Sequence, residues 1–236
     1  MLTSEKPQKN RPDNLTLSKR LSLAAGLVRQ GRRVADVGCD HGKLSAFLLQ
    51  SKKTPFVYAT DIRPLPLEKA KELLNECGLE DKSCCLLTDG LNGVPGDQVD
   101  DVVIAGIGAD VTNHVISEAG WLYQEDKHLV LIPASKRERV RRFLAAEGFE
   151  TDREIAVVDA GHCYSVMSVY YTGQKRELSV AEAWIGKIDV TTEDGKTYFK
   201  QVRKRMEEIL AAVSDENNEH RIEAQRFMEE IDDYCK

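Results

Sequence analysis

The sequence lacks any apolar run long enough to cross a membrane. Its longest, such as Val102–Ala105 and Leu129–Pro133, fall far short of the roughly 20 residues a spanning helix needs. The stretch from Met1 to Arg20 is polar and contains no signal-peptide core. These absences lead to an expected cytoplasmic location, with no membrane partner. No C-x-x-C pair occurs among Cys39, Cys77, Cys84, Cys85, Cys163 and Cys235, and their spacings are irregular. Cys84 and Cys85 are adjacent in an apolar run, so they point to opposite faces of a strand and are poorly placed to bridge. All six are read as reduced thiols, which excludes a disulfide framework and a structural zinc site. His114, His128, His162 and His220 show no ligand spacing, so no metal is expected. Internal repeats and low-complexity tracts are also missing.

What remains is an ordinary globular composition. A length of 236 residues with 42% hydrophobic content fits one domain of typical size plus a small module. The formal charge of -6 argues against a generic nucleic-acid binder. Its distribution is uneven, however. Ahead of Asp36 stand Lys6, Lys9, Arg11, Lys19, Arg20, Arg29, Arg32 and Arg33, against only Glu5 and Asp13. The stretch after Gln201 is acidic. A basic front end on an acidic protein can hold a polyanion, or can simply be a soluble tail and a solvated helix face.

Residues 1–14 read as a disordered basic tail. Leu17, Leu21, Ala24, Ala25 and Val28 then recur at helical spacing, with Gly31 as a stop signal. Strands are predicted at Val34–Gly38, Phe56–Thr60, Ser83–Thr88, Asp101–Ala105 and Leu129–Ile132, alternating with amphipathic helices. Pro66 and Gly78 bracket one helix. Ser135 and Glu138 predict a capping box for the helix through Val140, Phe143 and Leu144, which Gly148 closes. Such alternation predicts a mainly parallel sheet covered on both faces. Glu154–Val158 and Cys163–Tyr171, separated by a short turn, read as a hairpin that makes the last strand antiparallel. The expected fold is α/β: a seven-stranded doubly wound sheet of the Rossmann-like methyltransferase type, spanning residues 15–173. Residues 174–236 are expected to form a helical, coiled-coil-like hairpin, from Tyr198, Val202, Met206, Ile209 and Val213 on one face and Ala224, Met228, Ile231 and Cys235 on another.

In a doubly wound sheet, ligands bind beyond the carboxyl ends of the strands. Four such ends carry polar or glycine residues here. The first is Asp36-Val37-Gly38-Cys39-Asp40-His41-Gly42, a D-x-G-x-G-x-G spacing with Asp40 at the middle glycine. A carboxylate there would repel a dinucleotide pyrophosphate but suits S-adenosylmethionine, which carries an ammonium and a sulfonium. Asp61, with Ile62 beside it, ends the second strand roughly 20 residues on, where a carboxylate can accept both ribose hydroxyl protons; it can equally cap the next helix. Asp89-Gly90-Leu91 can accept from an adenine amino group, or can be a strand-ending turn. Gly106-Ile107-Gly108 forms a tight loop that leaves room for an acceptor near the transferred methyl.

These residues resemble the TrmK-type bacterial tRNA (adenine-N1)-methyltransferases, which modify an adenine at position 22. The matching pieces are Leu17-Ser18-Lys19-Arg20-Leu21, Ala35–His41, Asp89-Gly90-Leu91, Ile104–Gly108 and Cys163-Tyr164. The resemblance runs from about Leu17 to the C-terminus. It implies a class I methyltransferase that binds S-adenosylmethionine through the first loop, Asp61, Asp89 and Gly90, with tRNA as partner. The sequence departs from the family at Gly106-Ile107-Gly108-Ala109, where the family usually reads Gly-Met-Gly-Gly and which an acidic Asp110 follows here, at Ile132-Pro133-Ala134, where Gln-Pro-Asn is usual, and at Gly42-Lys43, where Ala-Tyr is common. All three departures line the expected acceptor side. His41 and Asp110 are candidate catalytic residues; each also has a plain reading, as a structural histidine and as a favourable helix start. Expected RNA contacts are Lys19, Arg20, Arg137, Arg141 and Arg142, with Arg137 and Arg141 sharing a helix face. Alternatives are methylation of another RNA or a small molecule, and a non-catalytic protein that binds S-adenosylmethionine or RNA. Oligomeric state is open.

Overall fold

The computed structural model describes residues 15–234. The expected basic tail at residues 1–14, and Cys235, lie outside the described residues. The elements run in the order α1 (Lys19–Leu27), β1 (Val34–Val37), α2 (Lys43–Gln50), β2 (Val57–Asp61), α3 (Pro64–Glu76), β3 (Ser83–Leu87), β4 (Asp101–Ile107), α4 (Ala109–Glu118), β5 (His128–Pro133), α5 (Arg137–Glu147), β6 (Phe149–Asp159), β7 (His162–Tyr171), α6 (Val180–Ile185), α7 (Glu193–Ala212) and α8 (Glu219–Tyr234). Seven strands form one sheet in the order β3-β2-β1-β4-β5-β7-β6. The first five are parallel, and β7 is antiparallel to both β5 and β6.

The central strands are apolar throughout because helices cover both their faces. Every residue of β1, β2 and β5 is buried. One face of the sheet packs Leu44, Leu48, Leu67 and Leu74 of α2 and α3 together with Ala24 and Val28. The other packs Val115, Ile116, Val140 and Leu144 of α4 and α5. The β6–β7 hairpin closes on Ala160 and Gly161, both at positive φ, the turn geometry that matches strand twist.

Several local expectations are corrected. No capping box forms at Ser135–Glu138: Lys136 is left-handed (φ 51°), so the chain enters α5 without a side-chain cap. A true capping box sits instead at Ser179 and Glu182, starting the unforeseen α6. Strand β6 begins at Phe149 rather than Glu154, with a register shift between Thr151 and Arg153. It is an edge strand, and its polar start (Glu150, Asp152, Arg153) hides its periodicity.

Helices α7 and α8 pair, and with α6 they cover the β6–β7 hairpin through Tyr198, Met206, Ala224 and Phe227. Arg141 holds this assembly. Its guanidinium is buried against Glu154 (2.6 Å), donates to the Ala183 and Trp184 carbonyls ending α6 (2.6 and 3.0 Å), and donates to the Tyr198 hydroxyl (2.8 Å). Glu154 also accepts from the Ser165 hydroxyl and the Lys187 amide. Burial alone would lower the Arg141 pKa, but the Glu154 charge and Tyr198 hold it above the usual arginine range. Arg141 therefore does not face RNA, contrary to the expectation from its helix face. No helix among the described residues is long and apolar enough to cross a membrane.

Candidate functional site

The strand order reverses between β1 and β4, so the crossovers leaving these strands splay apart and open a crevice at their carboxyl ends. A cleft of about 660 Å³ lies there. The loops after β1, β2 and β3 and the end of β4 form its floor; α1, α2 and α4 contribute its walls. The structure brings together Asp36, Gly38, Cys39, Asp40, His41, Asp61, Ile62, Asp89, Gly90, Gly106 and Ile107 around it. Leu91 does not line this cleft: it is buried in the core beside it, against a smaller pocket of about 220 Å³.

Side chains of β4 and α4 press closely on the backbone of the floor. Gly38 has φ of 67°, and a methyl there would sit 2.8 Å from Ile107 Cδ1. At Gly90, also left-handed, a methyl would sit 2.7 Å from Val115 Cγ2. At both positions the left-handed backbone and the close neighbour favour glycine. Asp40 is left-handed as well (φ 51°), a conformation aspartate tolerates better than most residues.

The carboxylates fall into two groups. Asp36 is 3% exposed and accepts from the Ser45 hydroxyl at 2.6 Å. No ion pair reaches it among the described residues. Burial pushes its carboxyl up to about 6, against a smaller opposing effect of the Ser45 hydrogen bonds. Asp61 is also buried, but both its oxygens are engaged. They accept from the Asp40 amide (3.1 Å), the Arg63 amide (2.8 Å) and the Arg63 guanidinium (3.3 Å). Asp61 thus holds the entry to α3, and it also faces the cleft. Arg63 bridges on to Asp40 at 3.5 Å, and His41 lies 3.9 Å from Asp40. Asp89 is exposed at the far end. Burial raises the Cys39 thiol, with nearby carboxylates adding to it, so this cysteine stays neutral and acts as a small apolar wall.

Apolar surface is left uncovered at the same place. Ile62 is 64% exposed and Val111 50%, both on the cleft lining. Exposed aliphatic groups flanking an acidic cleft offer flat contact to a ring while the carboxylates take its polar edge. Lys43, named in the sequence only as a departure from the family, lines the cleft, and Val111, Thr60, Thr88 and Arg63 line it without having been named as site residues. Arg63 has a readable signal, standing two residues after the strand-ending Asp61; the others have none.

The two candidate catalytic residues part company. His41 lines the cleft. Asp110 does not: its exposed carboxylate pairs with Lys136 (3.3 Å) and Arg139 (3.4 Å). The cations expected to meet RNA are likewise dispersed. Lys19 is exposed, whereas Arg20 turns into the cleft. Arg137 donates to the Cys163 carbonyl (2.6 Å) and lies over the Tyr198 ring, and Arg142 pairs with Glu223 of α8 (2.7 Å). Most of the basic charge of α5 thus ties the C-terminal helices to the sheet. Among the described residues, no group of three histidine, cysteine or acidic side chains could hold a metal ion.

Residues 17–167 match the model of a family described as a methyltransferase domain. A tRNA (adenine(22)-N(1))-methyltransferase of Bacillus subtilis is 27% identical over 155 residues, 66% of this chain and 65% of that relative's length. A solved Streptococcus pneumoniae protein in complex with S-adenosyl-L-methionine superposes with a TM-score of 0.78 at 25% identity, covering 90% of this chain and 97% of the other. The fold is shared as well with Mycoplasma capricolum TrmK in complex with S-adenosyl-homocysteine, at a TM-score of 0.76 and 22% identity over 92% of this chain and 97% of that one.

Proposed function

Since the chain belongs to the methyltransferase-domain family, we propose that it transfers a methyl group from S-adenosylmethionine to N1 of an adenine in tRNA, at the position-22 site of its Bacillus relative. The observation that carries the donor assignment is Asp36: a buried carboxylate on the cleft floor with no cation of its own among the described residues. A ligand bearing ammonium and sulfonium charge supplies what this site leaves unpaired. The pyrophosphate of a dinucleotide would instead meet Asp40 and Asp36.

The residues fit such a donor. Asp61 suits the ribose hydroxyls once the Arg63 side chain, 62% exposed, swings away. Asp89 suits the adenine amino group, with Ile62 and Val111 along the ring. Gly38, Cys39, Asp40 and His41 surround the amino-acid portion. When bound, S-adenosylmethionine supplies an electrophilic methyl group to an in-line nucleophile.

Adenine N1 has an in-plane lone pair and no proton to lose at neutral pH, so no general base is needed. The protein's work is to hold the base, exposed from pairing, in line with the donor. Gly106 has open space where a side chain would project, which leaves room for the base beside the β4 end. His41 orients groups at the mouth of the cleft rather than moving a proton. RNA contact falls to the exposed Lys19 and to Lys136 and Arg139, which are exposed and paired with Asp110 at the start of α4.

The test is incubation of the purified chain with unmodified tRNA and labelled donor, followed by mapping. Label at N1 of adenine 22 is the expected result. Donor binding without tRNA labelling would reject the acceptor, and label on another base would move the assignment to another RNA methylation.

A further inference from the structure

Strands β4 and β5 pair in parallel to their ends, where Ile107 stands opposite Pro133 and the Ala134 amide donates to the Ile107 carbonyl at 2.9 Å. The turns that follow therefore run side by side. One leads through Gly108 into α4, the other through Ser135 and Lys136 into α5. They meet closely: a methyl at Gly108 would sit 3.5 Å from the Ser135 hydroxyl. Both flank the β4 end, where Gly106 leaves open space.

Three charges gather across these turns. Asp110, in the first turn of α4, pairs with Lys136 through one carboxylate oxygen (3.3 Å) and with Arg139 through the other (3.4 Å). Two cations thus converge on one small anion, each on its own oxygen, as they would on the free oxygens of a phosphodiester. Lys136 is held there against its preference. Its backbone is left-handed (φ 51°, ψ 48°), a strained conformation for lysine, and no side chain caps α5. The helix dipole also opposes a cation at a helix start and favours an anion. All three side chains are about half exposed or more. Contacts of this length between exposed groups are looser than tight charge-assisted bonds and exchange readily. The corner suits an anion, and the anion in place is the chain's own.

We propose that Asp110 stands in for an RNA phosphate: it masks Lys136 and Arg139 until a backbone phosphate near the acceptor adenine displaces it, so that it limits tRNA affinity and takes no part in the chemistry. The proposal rests on the tRNA reading above and names how that surface is regulated. A passing polyanion meets a corner whose charge is half cancelled. An RNA that delivers a phosphate there as its base enters the cleft gains both cations.

Asp110→Asn keeps the size of the side chain and removes its charge. Binding of unmodified tRNA is measured over a series of salt concentrations, with S-adenosylhomocysteine titrated in parallel. The variant is expected to bind tRNA about three- to tenfold more tightly near 50 mM salt, with a log–log salt slope steeper by about one. KM for tRNA falls, while kcat and S-adenosylhomocysteine affinity stay as in wild type. Lys136→Gln with Arg139→Gln weakens tRNA binding, and adding Asp110→Asn to that pair changes it by less than about twofold, because nothing is left to unmask. Equal tightening in that background would overturn the proposal by showing a general effect of lost negative charge. Unchanged tRNA affinity in the single Asp110→Asn variant would overturn it by showing that the cluster does not meet RNA. Weaker binding or slower methylation by that variant would overturn it in favour of direct contact between Asp110 and RNA. The wild-type titrations judge the tRNA reading separately: a chain that binds S-adenosylhomocysteine and no tRNA contradicts that reading and the mask together, whereas wild-type tRNA binding without a gain in Asp110→Asn removes the mask alone.

Discussion

Asp36, under the cleft, and Glu154, under the C-terminal helices, are both shielded almost completely from water. Glu154 is surrounded by donors: Arg141, the Ser165 hydroxyl and the Lys187 amide. Asp36 has Ser45 and, among the described residues, no cation. The first centre is closed and joins α5, β6, β7, α6 and α7 into one unit. The second is left incomplete on the wall of a cavity. A buried charge without a partner costs stability, and a fold retains it where a ligand completes it. This difference separates the part of the molecule that holds its shape from the part that binds.

The largest effect is expected from breaking the closed centre. Arg141→Ala leaves Glu154 buried and unpaired and should destabilise the chain by about 3–5 kcal/mol, read by denaturant unfolding. A loss below about 1 kcal/mol would show that the network adds little. The open centre should respond in the other direction. Asp36→Asn removes a charge whose burial lifts its pKa from 3.8 to about 6, equivalent to about 3 kcal/mol at most. A raised carboxyl pKa means the folded state holds its proton more tightly than the unfolded state. Wild-type stability from this group is therefore full below about pH 4 and lost as pH rises to about 6. The variant's advantage should be greatest above pH 6 and vanish near pH 4, while its donor affinity falls. A variant less stable than wild type at pH 8 would contradict the account.

Asp61→Ala should weaken S-adenosylhomocysteine by about 10- to 100-fold, the range for hydrogen bonds to a charged group of about 1.5–3 kcal/mol. Normal binding by this variant would remove Asp61 from the ribose site and leave it only its grip on the Asp40 and Arg63 amides. Smallest is Asp110→Ala. Its carboxylate is 70% exposed and lies off the cleft, so stability should change by less than about 0.5 kcal/mol and donor affinity not at all. A large loss of methylation at unchanged donor affinity would bring Asp110 back to the acceptor side.

The cleft floor was legible in the sequence because the fold dictates it. Strands buried on both faces read as unbroken apolar runs, and in a doubly wound sheet the residues just after them meet at one edge. Asp36, Asp61 and Gly106, in the last residues of their strands, lie at that same edge. Arg141 did not follow. It looks like a surface arginine one turn from Arg137, and only Glu154, on a strand whose start was itself misplaced, makes its burial possible. The cap of α1 by Asp159, which accepts from the Arg20 amide, is invisible for the same reason, since it depends on a chain reversal far along the sequence. At Ser135 and Glu138 the right residues stand at capping-box spacing, yet Lys136 turns left-handed and the box never closes. At Ser179 and Glu182 the same spacing works, because Ser179 is extended where it meets α6.

The central claim is that the incomplete acidic floor exists to receive a sulfonium nucleoside. It is tested most directly by calorimetric titration of the wild-type chain with S-adenosylmethionine and, in parallel, with NAD, at pH 8 and pH 5. Saturable one-site binding of S-adenosylmethionine that weakens at the lower pH, with no NAD binding, is the predicted result. Saturation by NAD with no heat from S-adenosylmethionine would contradict it.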